Sequence, residues 1–355
     1  MPEQTPPIPV VHDPADVTAA WLEGALGRRI NSFERTEAVS VWGAHVLVVA
    51  QVEGEPALLK LRVKLGSATV FGRGEVDYYL RTFVGLAEAP LVRCHYAAAD
   101  ESHYVLLLDD LTDTHCNQDD VPVTEAYGRA LVESIAQLHV HRWALPPPDA
   151  ASIEASLRDA LAGLPVMLDA MEEGFSAAER DTVREVFDTL PRALARRAQD
   201  AAGYSWVHGD LNPGNILAPR TGTGRVLLLD YQPFLQPPPS NGLAMYDLAY
   251  VMALWWPEAD RRTWAAAQVE HWHAQLASRG AGYASAERLR EDWQLCVAQT
   301  LTVPAARCSE PGGVTDFRLL WRMHLRRALA ALADARGDAA SPRPPAPDLP
   351  RACSA

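Results

Sequence analysis

Two hydrophobic periodicities divide the chain, with mixed strand and helix patterns up to about residue 111 and mostly helical ones beyond. "EAVSVW", "HVLVVAQV" and "ALLKLRV" are β-like runs. The last follows the turn signal "EGEP", and the three together predict an antiparallel meander. "FGRGEVDYYLRTF" then sets Val76, Tyr79, Leu80 and Phe83 at helical spacing. "YVLLLDDL" reads as a short, wholly apolar strand ending in two aspartates.

In the second half, "VTEAYGRALVESIAQLHVHRW" predicts a helix capped by Thr124, with Tyr127, Leu131, Ile135 and Leu138 as its buried stripe. Ser176 and Glu179 stand at capping-box spacing at the head of another. Residues 258–337 also read as helices. Two short strands, "NILAP" and "RVLLLD", interrupt this half as a hairpin about the turn "RTGTG". The segment "LPPPDA" at 145–150 breaks regular structure. The fold class predicted is α+β, two-lobed: a small antiparallel β-rich N-terminal lobe over residues 1–111 and a larger, mainly helical C-terminal lobe over 112–337. Residues 1–10 and the tail 338–355 have the Pro-rich, polar composition of disordered segments.

Composition narrows the partners. The chain has 355 residues and a formal net charge of −13, which argues against a nucleic acid or an anionic membrane surface as partner. It is compatible with a cationic small substrate. No apolar run is long enough to span a bilayer, since "LAYVMALWW" stops at Pro257. The five cysteines are scattered without a C-x-x-C pair, and the N-terminus has no basic or apolar leader pattern. A reduced, cytoplasmic setting is the expectation. Composition leaves the oligomeric state open.

The chemistry concentrates in "SWVHGDLNPGNILAP", a polar loop between apolar runs. Asp210 and Asn215 lie five apart in this loop, and Asp230 ends the apolar strand that a hairpin would return beside them. Two carboxylates and an amide oxygen form a hard-oxygen set suited to Mg²⁺ with phosphate. This is the parts list of kinase-type phosphoryl transfer: a loop Asp that accepts the acceptor's proton, a loop Asn on a metal, and a later Asp bridging metal and phosphate.

"HGDLNPGN" resembles the H-x-D-x-x-x-x-N motif of the aminoglycoside phosphotransferase and choline kinase superfamily, which has a protein-kinase-like fold. "LLLDYQ" with "MYDLAYVM" behind it is similar to the ecdysteroid-kinase-like branch, and the resemblance spans about residues 36–255. It implies an ATP- and Mg-dependent phosphotransferase (GTP possible) acting on a hydroxyl of a small molecule. Asp210 would then be the catalytic base, and Asn215 and Asp230 the metal ligands.

The nucleotide clamp should come from the first lobe. Lys60 lies inside an apolar strand, where a charge needs a partner. Glu75 on the next helix would supply it, leaving Lys60 for the phosphates. Lys64, just past the strand core, is the competing lysine and reads as solvated. Gly43 in "SVWGAH" would let backbone N–H groups approach the phosphates, although a hairpin turn explains a single glycine equally well. "LLLDDL" resembles the family's hinge, with backbone groups near Asp109 and Leu111 reading adenine and the carboxylates of Asp109 and Asp110 left free.

Other residues read as support. By the resemblance, His208 holds the loop and Asp247 hydrogen-bonds it. His139 and His141, like His271 and His273, are two apart on helices and read as packing. Trp255 and Trp256 could line the acceptor pocket or belong to core or rim. The acceptor site should come from residues 150–200 and 255–330; the acidic Glu258 and Asp260 favour a cationic acceptor and the tryptophans a flat or apolar one. A protein kinase is disfavoured by "DYQ" in place of D-F-G and by the absence of A-P-E. A non-catalytic nucleotide-binding pseudokinase is the alternative, and the presence of Asp210, Asn215, Asp230 and Lys60 speaks against it.

Overall fold

The computed structural model describes residues 8–39, 43–84, 86, 88–230 and 241–337. Helix α1 (Ala19–Leu26) is capped by Thr18, whose hydroxyl accepts the Trp21 N–H, and ends at Gly27 with φ 64°. Then come β1 (Ile30–Val39), β2 (Ala44–Val52) and β3 (Leu59–Ser67), which form the antiparallel meander. β1 starts well before the predicted run. As a sheet edge it leaves most of its side chains in solvent, so its sequence carries little hydrophobic alternation. With β4 (Cys94–Ala99) and β5 (His103–Asp109) the sheet order is β1-β2-β3-β5-β4.

Alternation decides the two faces. Leu61, Val63 and Leu65 of β3 are buried with Val46 and Val48 of β2 beneath Trp21 and Leu22 of α1. Lys60, Arg62 and Lys64 therefore share the opposite face. Ile8 and Val10 pack on the same core as α1, Trp21 Nε1 donates to Pro9 O (3.1 Å), and Tyr96 OH donates to Ile8 O (3.0 Å). Residues 8–10, expected to be loose, are docked. Residues 1–7 and the tail from 338 lie outside the described residues.

Beyond β3, α2 (Ala68–Phe71) and α3 (Gly74–Asp77) lead into a π-turn over Tyr78–Thr82, closed by Phe83 N–H to Tyr78 O at 3.0 Å. The predicted stripe shifts for this reason. An i to i+5 turn rotates the next residues, so Tyr78 and Thr82 are buried with Val76 and Phe83, while Leu80 is 51% exposed.

The rest of the chain runs β6 (His115–Asn117), α4 (Glu125–His141), α5 (Ala150–Ala170), α6 (Ala177–Arg197), β7 (Tyr204–Trp206), β8 (Ile216–Pro219), β9 (Leu227–Leu228) and β10 (Asn241–Leu243). It continues with α7 (Met245–Tyr250), extended by a π-turn over Val251–Trp255, then α8 (Glu258–Ala277), α9 (Ala286–Gln299), α10 (Thr302–Ser309), α11 (Gly313–Asp316) and α12 (Arg318–Arg336). Thr124 caps α4 and its predicted stripe is buried. Ser176 and Glu179 form the capping box of α6. β8 and β9 pair as the predicted hairpin, and β7 pairs with β10. A large apolar core joins α4 to the helices from α5 to α12. The described cysteines 94, 116, 296 and 308 are unpaired thiols. Among the described residues no helix is long and apolar enough to cross a membrane.

Candidate active site

The loop between β7 and β8 is strapped down by one buried carboxylate. Asp247, in the first turn of α7 and fully buried, accepts the backbone N–H of His208 (2.7 Å) and of Gly209 (2.8 Å). It also accepts His139 Nε2–H (3.0 Å), and Trp272 Nε1–H donates to His139 Nδ1 (3.2 Å), which fixes that tautomer. The packing reading of His139 missed this: the ring is in the core, and it also orients Asp247. Gly209, at φ 81°, gives the loop the left-handed step that turns the chain toward Asp210.

His208 links loop to strand. Its Nδ1 accepts the Asp210 N–H (3.3 Å) and its Nε2 donates to Leu229 O (2.8 Å). The ring is fully buried and committed at both nitrogens, in keeping with a holding role.

Asp210 is oriented from two sides. Its Oδ1 accepts the Tyr250 hydroxyl (2.7 Å), while Asn215 Nδ2 donates to its backbone oxygen (2.8 Å) and more weakly to Oδ2 (3.3 Å). Burial, and then the neighbouring Asp210 charge, push the Tyr250 phenol well above its ordinary range, so it stays a donor. Asn215 sits in a 3₁₀ turn, Pro213–Asn215, opened by Asn212, whose Oδ1 accepts the Gly214 N–H (2.9 Å). Both Asn215 contacts to Asp210 use the amide nitrogen, so neither engages its carbonyl oxygen. Leu229 N–H donates to Asn215 O (2.8 Å), which draws the end of the β9 hairpin alongside the turn. The next residue, Asp230, is 41% exposed and holds φ 53°, an uncommon conformation for a residue with a side chain.

The lysine that meets this group is Lys64. Its Nζ lies 2.7 Å from Glu75 Oε2 and 2.8 Å from Asp230 Oδ1. Burial by itself would pull the ammonium down; the charges of Glu75 and Asp230 outweigh it and hold Lys64 above its ordinary value. The expected Lys60–Glu75 pair is thereby corrected. Lys60 lies nearer the hinge end of the same strand face, half-exposed, and pairs with Asp113 at 2.5 Å, a hydrogen bond and charge that raise its pKa. β3 rises about 3.3 Å per residue, so four residues separate the two ammonium stems by roughly 13 Å. Only Lys64 falls opposite α3. His45, across the ladder from Lys64, is held neutral: burial, then Arg62 and Lys64, bring its pKa down to about 4.

A β-carbon on Gly43 would stand 2.5 Å from Leu65 O, so close strand packing alone requires glycine there; residues 40–42 of the loop lie outside the described residues. At the hinge the carboxylates are engaged, contrary to expectation. Asp109 accepts from His95 Nε2 (2.6 Å), and Asp110 accepts the N–H and hydroxyl of Thr112. The Asp109 and Asp110 N–H groups go to Arg93 O and Lys60 O, while Leu111 O accepts from Thr114 and His115. Trp256 is core, packed near Tyr127, whereas Trp255 lies half-buried against His324 with ring centres 4.5 Å apart. His141 meets Thr82 O, His271 meets Glu133, and His273 accepts from the Tyr283 N–H. Tyr231 and Gln232 of "DYQ" lie outside the described residues. Tyr250 is the site residue that sequence reasoning left out, while Lys64, weighed as the competing lysine and read as solvated, is the one the site holds. Tyr250 had a signal in its spacing, one helical turn from Asp247.

A β-rich lobe whose lysine meets a helix glutamate, facing an H-x-D loop and a strand-end aspartate, defines the class of protein-kinase-like phosphotransferases. The sequence model of the phosphotransferase enzyme family matches residues 75–289, more than half of the chain, and the chain belongs to that family. By family it is a small-molecule phosphotransferase. No curated protein is a significant sequence match. Among solved structures, spectinomycin phosphotransferase in complex with ADP and spectinomycin is similar at 11% identity and TM-score 0.52, over 89% of this chain and 99% of that one. Choline kinase from Cryptosporidium parvum gives 11% and 0.53 over 86% and 90%, and Plasmodium vivax ethanolamine kinase 10% and 0.50 over 86% and 82%. At these identities the likeness speaks for the fold. Nothing in these matches assigns the chain to the ecdysteroid-kinase-like branch.

Proposed function

We propose that the protein transfers the γ-phosphoryl group of ATP, or of GTP, to a hydroxyl of a small acceptor, with Asp210 as the base. The observation that carries this reading is the double anchoring of Asp210 by Tyr250 and Asn215, on a loop tied through Leu229 to Asp230 and so to Lys64. One carboxylate oxygen is held by a permanent phenol donor, which aims the other edge of the group at an incoming hydroxyl. The proton lost by that hydroxyl passes to Asp210 as its oxygen bonds to phosphorus and the nucleoside diphosphate leaves. Lys64, fixed by Glu75, takes the phosphate-steadying role first expected of Lys60.

The donor set fits a magnesium ion. Asn215 offers its amide oxygen and the partly exposed Asp230 a carboxylate, hard ligands of the kind such an ion takes together with phosphate. When bound, it would neutralise charge on the phosphates. The ADP held by spectinomycin phosphotransferase, which has a similar fold, is in keeping with a nucleotide donor. We assign the nucleotide to the lobe of residues 1–111, with the hinge near Leu111, and the acceptor to the helices of 112–337. The alternative of a non-catalytic nucleotide binder is not favoured: Asp210 is anchored by Asn215, and Lys64 meets both Glu75 and Asp230, which supports the catalytic reading.

The test is ADP release with Mg·ATP across a panel of aminoglycosides, amino alcohols, sugars and sterols, with Asp210→Asn as control. An acceptor-dependent rate lost in that variant is the expected result. If no acceptor raised ADP release above the control, the proposal would fail.

A further inference from the structure

At the outer end of the β4–β5 hairpin, apart from the residues of the phosphate-transfer site, two imidazoles and a carboxylate converge. His12 comes from the docked N-terminal segment, and Asp100 and His103 from the hairpin turn. One ligand-capable atom of each lies within 4.8 Å of the other two. His12 Nε2 is 2.5 Å from Asp100 Oδ2, and the two imidazole rings stack with centroids 4.2 Å apart and an interplanar angle of 19°.

A surface ion pair would need only His12 and Asp100. This cluster has more, including outer contacts that orient the ligand atoms. Asp100 Oδ1 accepts the Ser102 N–H (2.8 Å), the Ser102 hydroxyl (3.1 Å) and the His103 N–H (2.8 Å), which turns Oδ2 toward the rings. His103 Nδ1 meets Ser102 Oγ at 2.9 Å, which fixes the ring beside Asp100. Such hydrogen bonds fix ring orientation and tautomer in metal sites. The segment that carries His12 is docked just before it, where Tyr96 and Trp21 hold the carbonyls of Ile8 and Pro9. No part of the phosphate-transfer chemistry uses these residues.

We propose that His12, Asp100 and His103 bind a divalent transition-metal ion of the zinc class and so clamp the N-terminal segment to the β4–β5 hairpin. Two imidazoles and one carboxylate suit zinc, copper or nickel, whereas magnesium prefers oxygen donors. Three protein ligands leave a coordination position to water. The clamp has a route into the lobe, because Ser102 O accepts the Ala68 N–H (2.8 Å) at the start of α2, and α3 with Glu75 follows.

Calorimetric titration of the metal-free full chain with Zn²⁺ alone, without nucleotide, tests this. The expected result is one binding event in the parent chain that weakens by about tenfold or more in both His12→Ala and His103→Ala. Asp230→Asn, which alters the other candidate metal site, retains it. Zn²⁺ also raises the melting temperature of the parent and not of His103→Ala. His12 is exposed and His103 half-buried, and circular dichroism reports whether the variants keep the fold. Equal Zn²⁺ binding in the parent and both histidine variants, or none in the parent, would overturn the proposal.

Discussion

Lys64 and Glu75 form an ion pair at 2.7 Å across the interior of the small lobe, and the same ammonium reaches Asp230 at 2.8 Å. Lys60, on the same strand face, is turned to Asp113 near the hinge. The two lysines therefore separate in function. Lys64→Ala should lower acceptor-dependent kcat/KM by about a hundredfold, the order seen when one preorganised charge is removed from a transition state. Lys60→Ala should stay close to the parent, because water screens a pair as exposed as Lys60 and Asp113. Steady-state kinetics of both variants decide the matter; the opposite order would return the role to Lys60.

Asp210→Asn keeps the size of the side chain and removes its capacity to take a proton. A general base contributes about 10²–10⁴-fold, and a loss in that range is expected in kcat, with nucleotide binding retained. Tyr250→Phe removes only the hydroxyl that aims Oδ1. It should cost about tenfold in kcat with little change in KM for the nucleotide, a split that a merely packing phenol would not give.

Asp247 is a stability residue. Three N–H donors converge on its buried carboxylate. In Asp247→Asn one oxygen becomes an NH₂ group that faces an N–H, leaving donors without an acceptor. The expected destabilisation is about 3 kcal/mol, measured by urea unfolding, with activity lost as the loop loosens. Unchanged unfolding would show that the strap is dispensable.

His324 predicts a pH dependence. It is 4% exposed against Trp255, and burial, then Arg327 and Arg307, bring its pKa down to about 3. The unfolded chain takes up this proton near pH 6.5, the fold only near 3. Between those values the unfolded state holds more protons, so stability falls as pH falls and levels off below about 3. His45, depressed to about 4, acts in the same direction. His324→Gln should flatten this acid limb by a few kcal/mol in urea midpoints taken from pH 7 to 4. An identical limb in that variant would assign the effect to other groups.

Much of the site was legible in the chain because it is local. Asp210 and Asn215 share one loop, and the turn residues between them fix how they meet. The hairpin "NILAP…RVLLLD" forms as read and brings Asp230 back to the loop through Leu229. The helix cap at Thr124 and the capping box at Ser176 are contacts between residues three apart, so their spacing alone specifies them.

Choices between equivalent positions were not legible. Lys60 and Lys64 have the same strand parity and the same kind of neighbours, and a period of two cannot tell them apart. The decision needs the position of α3 along the sheet and the arrival of Asp230 from the far lobe. The stripe after Val76 shifted because a π-turn changes the helical period within a single turn. His139 looked like core packing and is core, yet its second role depends on Asp247, more than a hundred residues away. Local periodicity and turn chemistry were enough to read the two-lobed fold class, the 208–215 loop and the oxygen-bearing side chains it carries. Which lysine, tyrosine and histidine come to surround that loop follows from how the elements pack, because such long-range contacts leave no local pattern in the chain.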